Sequence, residues 1–205
     1  LFLITTNANS QNSFLPNNEV KVIKNSDTLM LPWAGGINYA QVSTIDLNLD
    51  GKEDLIVFDR ADHKVIPFVN IGTPGNIKFK YAPEYIEVFP NSIGWMLLRD
   101  YNCDGKKDVF YSASGGVMSV SKNSSNSRLK FDLIDNKVPS DQYPGGNIGI
   151  YIPSSDIPAI GDVDHDGDID LITFGVLGTS LEYHRNYSME NYGNCDSLDY
   201  TLKNY

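Results

Sequence analysis

The stretch DLNLDGKEDLIVF, residues 46–58, places aspartate or asparagine at alternate positions of a short loop and then continues directly into an apolar run. The pattern returns twice, as DYNCDGKKDVFY from Asp100 and as DVDHDGDIDLITF from Asp162. All three copies fit D-x-[DN]-x-D-G-x-x-D followed by apolar residues, and their starts lie 54 and 62 residues apart. Repetition at this spacing predicts a chain built from successive copies of one supersecondary unit.

Strand-like segments flank every acidic loop. Each loop follows a short apolar or small-residue segment: YAQVSTI, GWMLLR or IPAIG. Further stretches rich in Val, Ile, Phe and Tyr complete each unit: HKVIPFVNIG and NIKFKYAPEYIEVF, then GGVMSVSKN and RLKFDLI, then SLEYHRNYS and DSLDYTL. Each unit therefore contains about four short strands in roughly 55–60 residues, without a long stretch of helical periodicity. Regular four-stranded units predict an all-β fold of antiparallel β-propeller blades, about three of them.

The residue types in the loops are those of a calcium site. Calcium takes six to eight oxygen ligands at about 2.3–2.6 Å, and a glycine at the sixth position allows the loop to turn sharply around the ion. Aspartate or asparagine side chains supply oxygens at positions 1, 3, 5 and 9, and position 7 supplies its backbone carbonyl. The loops are not EF-hands, because position 12 holds Val57, Tyr111 or Thr173 in place of glutamate.

The predicted ligands follow from this numbering, with water completing each shell. Loop 46–54 provides Asp46, Asn48, Asp50, the carbonyl of Lys52, and Asp54. Loop 100–108 provides Asp100, Asn102, Asp104, the carbonyl of Lys106, and Asp108. Loop 162–170 provides Asp162, Asp164, Asp166, the carbonyl of Asp168, and Asp170. Solvated Asp-rich turns are the alternative for a single copy, but three copies in the same place relative to a strand favour metal. Magnesium suits the loops less well than calcium, because it resists dehydration.

The charge balance of the chain supports this assignment. There are 26 acidic and 16 basic residues, giving a net charge of −10. Ten carboxylates occupy the predicted ligand positions, so the remaining acidic and basic residues are equal in number and the whole acidic excess lies in the loops. Three calcium ions would bring the net charge to −4. An acidic chain of this kind disfavours nucleic acid as a partner, since phosphate binding needs clustered Lys and Arg.

The N-terminus and the cysteines bear on the compartment. Leu1–Ile4 are apolar and Ala8-Asn9-Ser10 are small, which predicts the remnant of a signal peptide over residues 1–10, a disordered arm being the alternative. Cys103 and Cys195 are too few for a disulfide framework, and either could be free, bonded to the other, or bonded outside this chain. No run of 18 apolar residues is present, so we expect no membrane-spanning helix.

The repeats resemble FG-GAP/VCBS repeats, the calcium-loop blades of integrin-alpha-like β-propellers found in secreted and surface proteins of bacteria. The resemblance lies in DLNLDGKEDLIVF, DYNCDGKKDVFY and DVDHDGDIDLITF, each followed by a strand near an N-x-G or N-x-S turn, and it runs from about Glu19 to the C-terminus. It implies that each loop joins two strands of a blade, that calcium holds the turn rigid, and that the protein is extracellular. It does not imply one activity.

This chain is shorter than a complete propeller of this family. Propellers of this kind usually have seven blades, which needs roughly 400 residues at this spacing. We therefore expect residues 11–205 to be a partial propeller, the N-terminal part of a longer exported protein whose other blades complete the ring. The segment EVKVIKNSDTLML ahead of the first loop is expected to supply a strand to the closing blade.

The sequence favours a non-catalytic module that binds an extracellular protein or glycan, as in adhesion, with calcium in a structural role. His63, His165 and His184 share no motif, and G-x-S-x-G, HExxH and phosphate-loop patterns are missing from the sequence. His165 and Cys103 both occupy loop position 4, where the side chain is expected to point away from the ion.

Two alternatives stay open. One is a polysaccharide lyase or hydrolase on a propeller scaffold, in which clusters such as YAPEY, Tyr143 with Tyr151, and YHRNYSMENY would form a sugar-stacking rim. Tyrosine is also a favoured strand residue, so the same clusters fit packing between blades. The other alternative is a structural spacer in a larger surface protein, which would have no ligand beyond calcium.

Overall fold

The computed structural model describes residues 20–32, 34–141 and 149–203. The predicted signal-peptide remnant at residues 1–10 lies outside these ranges, as does Tyr143 of the proposed sugar rim. The first described element is a small hairpin of its own, with strands β1 (Ile23–Lys24) and β2 (Asp27–Thr28) joined by Asn25 and Ser26, both at positive φ. The segment predicted to supply a strand to a closing blade thus pairs with itself in this chain.

The first large sheet surrounds the first acidic loop. Its four antiparallel strands follow one another in chain order: β3 (Ala40–Ile45), β4 (Asp54–Asp59), β5 (Lys64–Asn70) and β6 (Phe79–Tyr81). Ile45 lies opposite Asp54 at the end of the β3–β4 ladder, so the acidic loop closes this hairpin. Downstream of β6, Pro83–Val88 form a 3-10 helix where the sequence predicted a continuing strand, because Pro83 cannot donate a ladder hydrogen bond.

The second sheet repeats this arrangement around the second loop. Its strands are β7 (Met96–Arg99), β8 (Asp108–Ser112), β9 (Met118–Asn123) and β10 (Phe131–Asp135), again antiparallel and adjacent in chain order. Arg99 lies opposite Asp108, which places the acidic loop at the equivalent hairpin. The register shifts between Leu133 and Asp135, so the outer strand carries an irregularity there.

The third sheet contains one strand more than the predicted four. Its members in chain order are β11 (Ser140–Asp141), β12 (Ala159–Gly161), β13 (Asp170–Phe174), β14 (Leu181–Asn186) and β15 (Tyr200–Lys203), with the helix α1 (Ser188–Tyr192) between the last two. The order across the sheet is β11-β15-β14-β13-β12. Strand β11, reached directly from the second sheet, pairs in parallel with β15 and covers an edge that would otherwise present unpaired backbone groups.

Apolar side chains pack between successive sheets. The first and second sheets share one core: Ile45, Leu47, Ile56, Phe58, Val65, Phe89, Met96, Leu98, Val109, Tyr111 and Leu129. The second and third share another: Trp95, Tyr101, Phe110, Met118, Val120, Val138, Ile150, Ile152, Ile160, Leu171 and Tyr200. The fold is therefore all-β and consists of consecutive sheets stacked like the blades of an incomplete propeller, as the sequence predicted.

Arg60 and a disulfide tie the sheets together. Arg60, at the end of β4 and only 6% exposed, donates from Nε to the carbonyl of Gly94 at 2.6 Å. Its Nη2 donates to the carbonyls of Ser154 and Asp156, which lie between β11 and β12 of the third sheet. Cys103 in the second acidic loop is bonded to Cys195, 92 residues later, beyond α1. The pairing that the sequence left open is thus internal to the chain.

Candidate metal centres in the three acidic loops

Each acidic loop is the hairpin connection between two neighbouring strands, at the place the repeat predicts. Its backbone turns through two left-handed residues. Position 6 is a glycine in every copy, with φ of 82°, 80° and 104° at Gly51, Gly105 and Gly167. Position 4 also has positive φ, although it is not glycine: it is Leu49, Cys103 and His165 in the three loops. The Cys103 side chain is bonded to Cys195, outside its own loop, in line with the expectation that position 4 points away from the ion.

The first aspartate of each loop turns its carboxylate toward the loop backbone. Asp46 accepts hydrogen bonds from the amides of Asp50 (3.0 Å) and Gly51 (2.8 Å). Asp100 repeats both contacts with Asp104 and Gly105. In the third loop Asp162 accepts from the amides of His165 and Gly167. The loop therefore closes around a carboxylate at the position where the sequence predicts a metal ligand.

The ninth aspartate of each loop is fully buried and joins the loop to the strand that follows the hairpin, which is β5, β9 or β14. Asp54, Asp108 and Asp170 are each 0% exposed. One oxygen accepts the amide of loop position 2, at 2.8 Å from Leu47, 3.0 Å from Tyr101 and 3.0 Å from Val163. The other accepts the amide at the end of that following strand, at 2.6 Å from Asn70, 2.7 Å from Asn123 and 2.8 Å from Asn186. These carboxylates thus organise the strands as well as facing the loop.

Burial raises the pKa of these ninth aspartates, because a buried carboxylate is poorly solvated in its charged form. The pKa of Asp108 rises to about 6 by burial, with a further contribution from the nearby charges of Asp104 and Asp100. The pKa values of Asp54 and Asp170 are raised for the same main reason. A bound divalent cation would favour the ionised form and so offset this cost.

In the first two sheets the asparagine at the end of β5 or β9 links the acidic loop to that strand through its side chain, a role that was not predicted from the sequence. We call it the clamp asparagine. Asn123 donates from Nδ2 to the carbonyl of Lys107, inside the acidic loop, and its Oδ1 accepts the amide of Ser125. Asn70 makes the same two contacts with the carbonyl of Glu53 and the amide of Gly72. The recurring N-x-G and N-x-S turns were the sequence signal for this clamp between loop and strand.

Carboxylates converge most closely in the third loop. Oxygens of Asp162, Asp164 and Asp166 lie within 4.8 Å of one another, and a second group joins Asp166, Asp168 and Glu190 in the same way. Within the described ranges, no other three His, Cys, Asp or Glu side chains meet this condition. The first two loops hold an asparagine at position 3, where Asn48 and Asn102 donate to the carboxylates of Asp50 and Asp104. The predicted carbonyl ligands of Lys52, Lys106 and Asp168 stay predictions.

Arg185, on β14, enters the third site and was not anticipated from the sequence. Its Nε lies 2.5 Å from Asp164 Oδ2, and its Nη2 contacts Asp166 at 3.3 Å and also Glu190. In the second sheet the equivalent residue is Lys122, whose Nζ lies 3.9 Å from Asp104. The equivalent residue of the first sheet is Val69, which carries no charge. The three loops therefore share a backbone plan but differ in electrostatic environment.

The donor set at the predicted ligand positions consists of carboxylate, amide and carbonyl oxygens, which are the ligands of hard cations such as calcium. No family model matches this chain, and no curated protein matches it. The resemblance to FG-GAP/VCBS repeats therefore rests on the loop motif and its position in each sheet. In the part of the chain that the structure describes, no helix is both long and apolar enough to span a membrane.

Proposed function

We propose that this chain is a calcium-binding, extracellular β-propeller module of the FG-GAP/VCBS type that binds a protein or glycan partner, with calcium in a structural role. The observation that carries the proposal is the convergence of Asp162, Asp164 and Asp166 to within 4.8 Å of one another in a loop of the predicted pattern. Arg185 offsets part of the repulsion among these carboxylates, and a bound cation would offset the rest. The ion would hold rigid the hairpin that starts each blade.

The structural role of calcium follows from what the loops connect. Every loop joins two neighbouring strands of its sheet, and its ninth aspartate binds the next strand along the chain as well. Lys107 of the second loop also contacts Glu53 of the first, at 2.9 Å, and Thr44 of β3. Order in one loop is therefore transmitted to its own sheet and to the neighbouring loop.

The proposed extracellular setting draws on the Cys103–Cys195 disulfide and on calcium supply. Disulfides persist mainly in oxidising compartments such as the cell exterior. Extracellular calcium modules bind with dissociation constants of about 10⁻⁴–10⁻³ M, which suit the calcium-rich exterior and not the cytosol. The disulfide and the proposed calcium sites both suit a secreted or surface-exposed protein, and the FG-GAP/VCBS resemblance adds the bacterial setting.

The partner would bind near the loops. A groove of about 430 Å³ lies between the first and second loops and is lined by residues of both, including Leu49, Glu53, Lys106 and Asn126. Its mixture of apolar, charged and amide groups suits a polar ligand such as a glycan or an extended peptide. Calcium would set the groove's shape, because residues of both acidic loops line it.

Thermal unfolding in millimolar calcium, in EGTA and in magnesium tests the calcium proposal. At about ten times the dissociation constant each ion stabilises the folded state by about 1.4 kcal/mol, so three independent sites contribute about 4 kcal/mol. We expect a rise of many degrees in Tm with calcium that magnesium does not reproduce. Asp100→Asn should reduce the rise, whereas Glu87→Gln, an exposed carboxylate outside the loops, should leave it unchanged. A cooperatively folded chain whose Tm ignores calcium would refute the proposal.

Glycan-array and extracellular-matrix binding assays in calcium test the partner. Binding that EGTA abolishes supports the adhesion role, whereas calcium binding without any ligand would leave the chain as a spacer. Incubation with uronate polymers, followed by absorbance of unsaturated ends, tests the lyase alternative directly. Product formation there would replace the non-catalytic assignment.

A further inference from the structure

The seventh residue of the third loop differs in charge from its two equivalents. In the first two loops this residue is lysine, and its ammonium contacts a carbonyl just past the clamp asparagine. Lys52 Nζ lies 3.4 Å from the Gly72 carbonyl, and Lys106 Nζ lies 2.8 Å from that of Ser125. In the third loop the residue is Asp168, and one of its oxygens accepts the amide of Met189 at 2.9 Å in the corresponding turn. A cationic group in two repeats is thus replaced by an anionic one in the third.

Asp168 is buried with half of its carboxylate unpartnered. The residue is 0% exposed, and Oδ1 has no hydrogen-bond partner among the described residues. An unsatisfied carboxylate oxygen is costly in a protein interior and is rare in native structures. This oxygen therefore points to a bound group with positive charge.

Two further carboxylates lie close to the Asp168 carboxylate. Oxygens of Asp166, from the loop, and Glu190, from α1, lie with an Asp168 oxygen inside a mutual distance of 4.8 Å. Calcium–oxygen distances are about 2.4 Å, so two ligand oxygens on opposite sides of one ion are about 4.8 Å apart. The three groups can therefore share one ion without moving far.

The net charge of the side chains around the third loop is more negative than that around either of the other two. In the first loop three aspartates face Lys52, while Glu53 is paired with Lys107 of the second loop, so one divalent ion brings this set to neutrality. In the second loop three aspartates face Lys106 and Lys122, so one ion again suffices. The third region has five aspartates and Glu190 against the single cation Arg185, and one ion would leave it at −3.

We propose that the third loop region binds a second divalent cation of the calcium class, held by Asp166, Asp168 and Glu190 beside the loop ion. This inference rests on the proposed calcium-loop function, because Asp166 belongs to both sites. Arg185 stays paired with Asp164 on the loop side, and its Nη2 contacts with Asp166 and Glu190 yield to the ion. The second ion would fix α1 to the acidic loop.

Native mass spectrometry of the oxidised chain in calcium counts the bound ions. The wild-type chain should bind one calcium ion in each acidic loop and one additional ion. The Glu190→Gln variant should lose the additional ion. Glu190 is exposed, so this substitution should preserve the fold, which circular dichroism checks. Glu87→Gln is the matched control and should retain the wild-type number. Asp168→Lys, which restores the lysine of the other two loops, should also lose one ion.

The outcomes separate this inference from the function it builds on. Equal ion counts in wild type and Glu190→Gln, with one ion per loop, would overturn the second site and leave the calcium loops intact. Loss of one ion in Glu190→Gln but not in Glu87→Gln supports it. Absence of bound calcium in wild type would overturn both proposals together.

Discussion

At the scale of single residues, the ninth aspartate and the clamp asparagine form one hydrogen-bonded unit in all three sheets. The aspartate accepts the backbone amide of the asparagine, and in the first two sheets the asparagine side chain returns a hydrogen bond to the loop. In the third sheet the Asn186 side chain reaches the carbonyl of Ser197 and the amide of Asp199 instead. The unit therefore closes the loop onto the strand before any metal is considered.

We predict that Asn123→Ala destabilises the chain by about 1–3 kcal/mol, because it leaves buried backbone groups of Lys107 and Ser125 without their partners. The backbone amide of residue 123 still reaches Asp108, so the sheet itself should form. Urea unfolding in calcium measures the effect. Asn126→Ala, an exposed asparagine three residues further on, should change stability by less than about 0.5 kcal/mol. Equal effects of the two substitutions would contradict the clamp.

The stabilisation by calcium should depend on pH through the buried aspartates. Because burial raises the pKa of Asp108 to about 6 from an ordinary 3.8, its protonated form stabilises the calcium-free fold fully below about pH 4. This contribution disappears as the pH rises through 6. Calcium, in contrast, binds the ionised form. The difference in Tm between calcium and EGTA should therefore grow from about pH 5 to about pH 7.5.

His184 is a useful internal reference for that measurement. It is fully buried against Ser140, and burial lowers its pKa to about 4. Its stabilising contribution is complete above the ordinary value of 6.5 and is lost as the pH falls toward 4. Because this change affects calcium-bound and calcium-free chains alike, it cancels in their difference. A calcium-induced shift in Tm that is constant or shrinks with rising pH would refute the assignment of Asp108.

At the scale of elements, the acidic hairpin combines a fixed backbone shape with variable side chains. Positions 4 and 6 are left-handed in every copy, whether position 4 is leucine, cysteine or histidine. Only position 6 is always glycine. The turn geometry is thus set by that glycine and by the carboxylate of position 1, which accepts its amide.

We predict that Gly105→Ala costs about 1–2 kcal/mol, because an L-residue resists the left-handed conformation that Gly105 adopts at φ 80°. A Cβ at this position would meet no atom within 4 Å, so the cost is one of backbone strain alone. Gly161→Ala is the matched control, since Gly161 also has open space around it and is not at positive φ. Thermal melts of both variants in calcium measure the contrast. Similar losses at the two glycines would exclude backbone strain as the cause.

The hairpins and their strands could be predicted from the sequence because their signal is local and repeated. Asp, Asn and Gly at fixed offsets specify the loop, and the apolar run after it specifies a strand. The additional strand of the third sheet, β11, could not be predicted. Its residues Ser140 and Asp141 carry no strand pattern, and they pair with β15 only because the fold brings the two segments together. The roles of Arg185 and Glu190 were equally hidden, because the fold alone brings them to the loop.

At the scale of the whole molecule, described residues on the outer face of the third sheet are more exposed than their equivalents in the other two sheets. Loop position 2 shows this directly: Leu47 and Tyr101 are 0% and 3% exposed, whereas Val163 is 43% exposed. Leu181 and Phe174 on the same sheet are also exposed. The side chains of this face are therefore packed less closely than those between the first two sheets.

We predict that two isoleucine truncations at equivalent positions differ sharply in this chain. Ile56 lies two residues past its ninth aspartate and is buried between sheets, so Ile56→Ala should cost about 2–5 kcal/mol. Ile172 has the same position in the third sheet but is only half-buried, and Ile172→Ala should cost about 1 kcal/mol or less. Chemical denaturation of both variants gives the comparison. A large loss at Ile172 would mean that its face is covered in solution.

The Cys103–Cys195 bond has a mechanical consequence. If the chain is pulled from its two ends, tension passes through the bond and bypasses the 92-residue span between the cysteines. Extended chain reaches about 3.3–3.6 Å per residue, so the bond withholds roughly 300 Å of contour length. When the oxidised molecule is stretched, the first sheet would unfold while most of the other two sheets stayed folded. The bond thus limits how far the molecule can lengthen under tension.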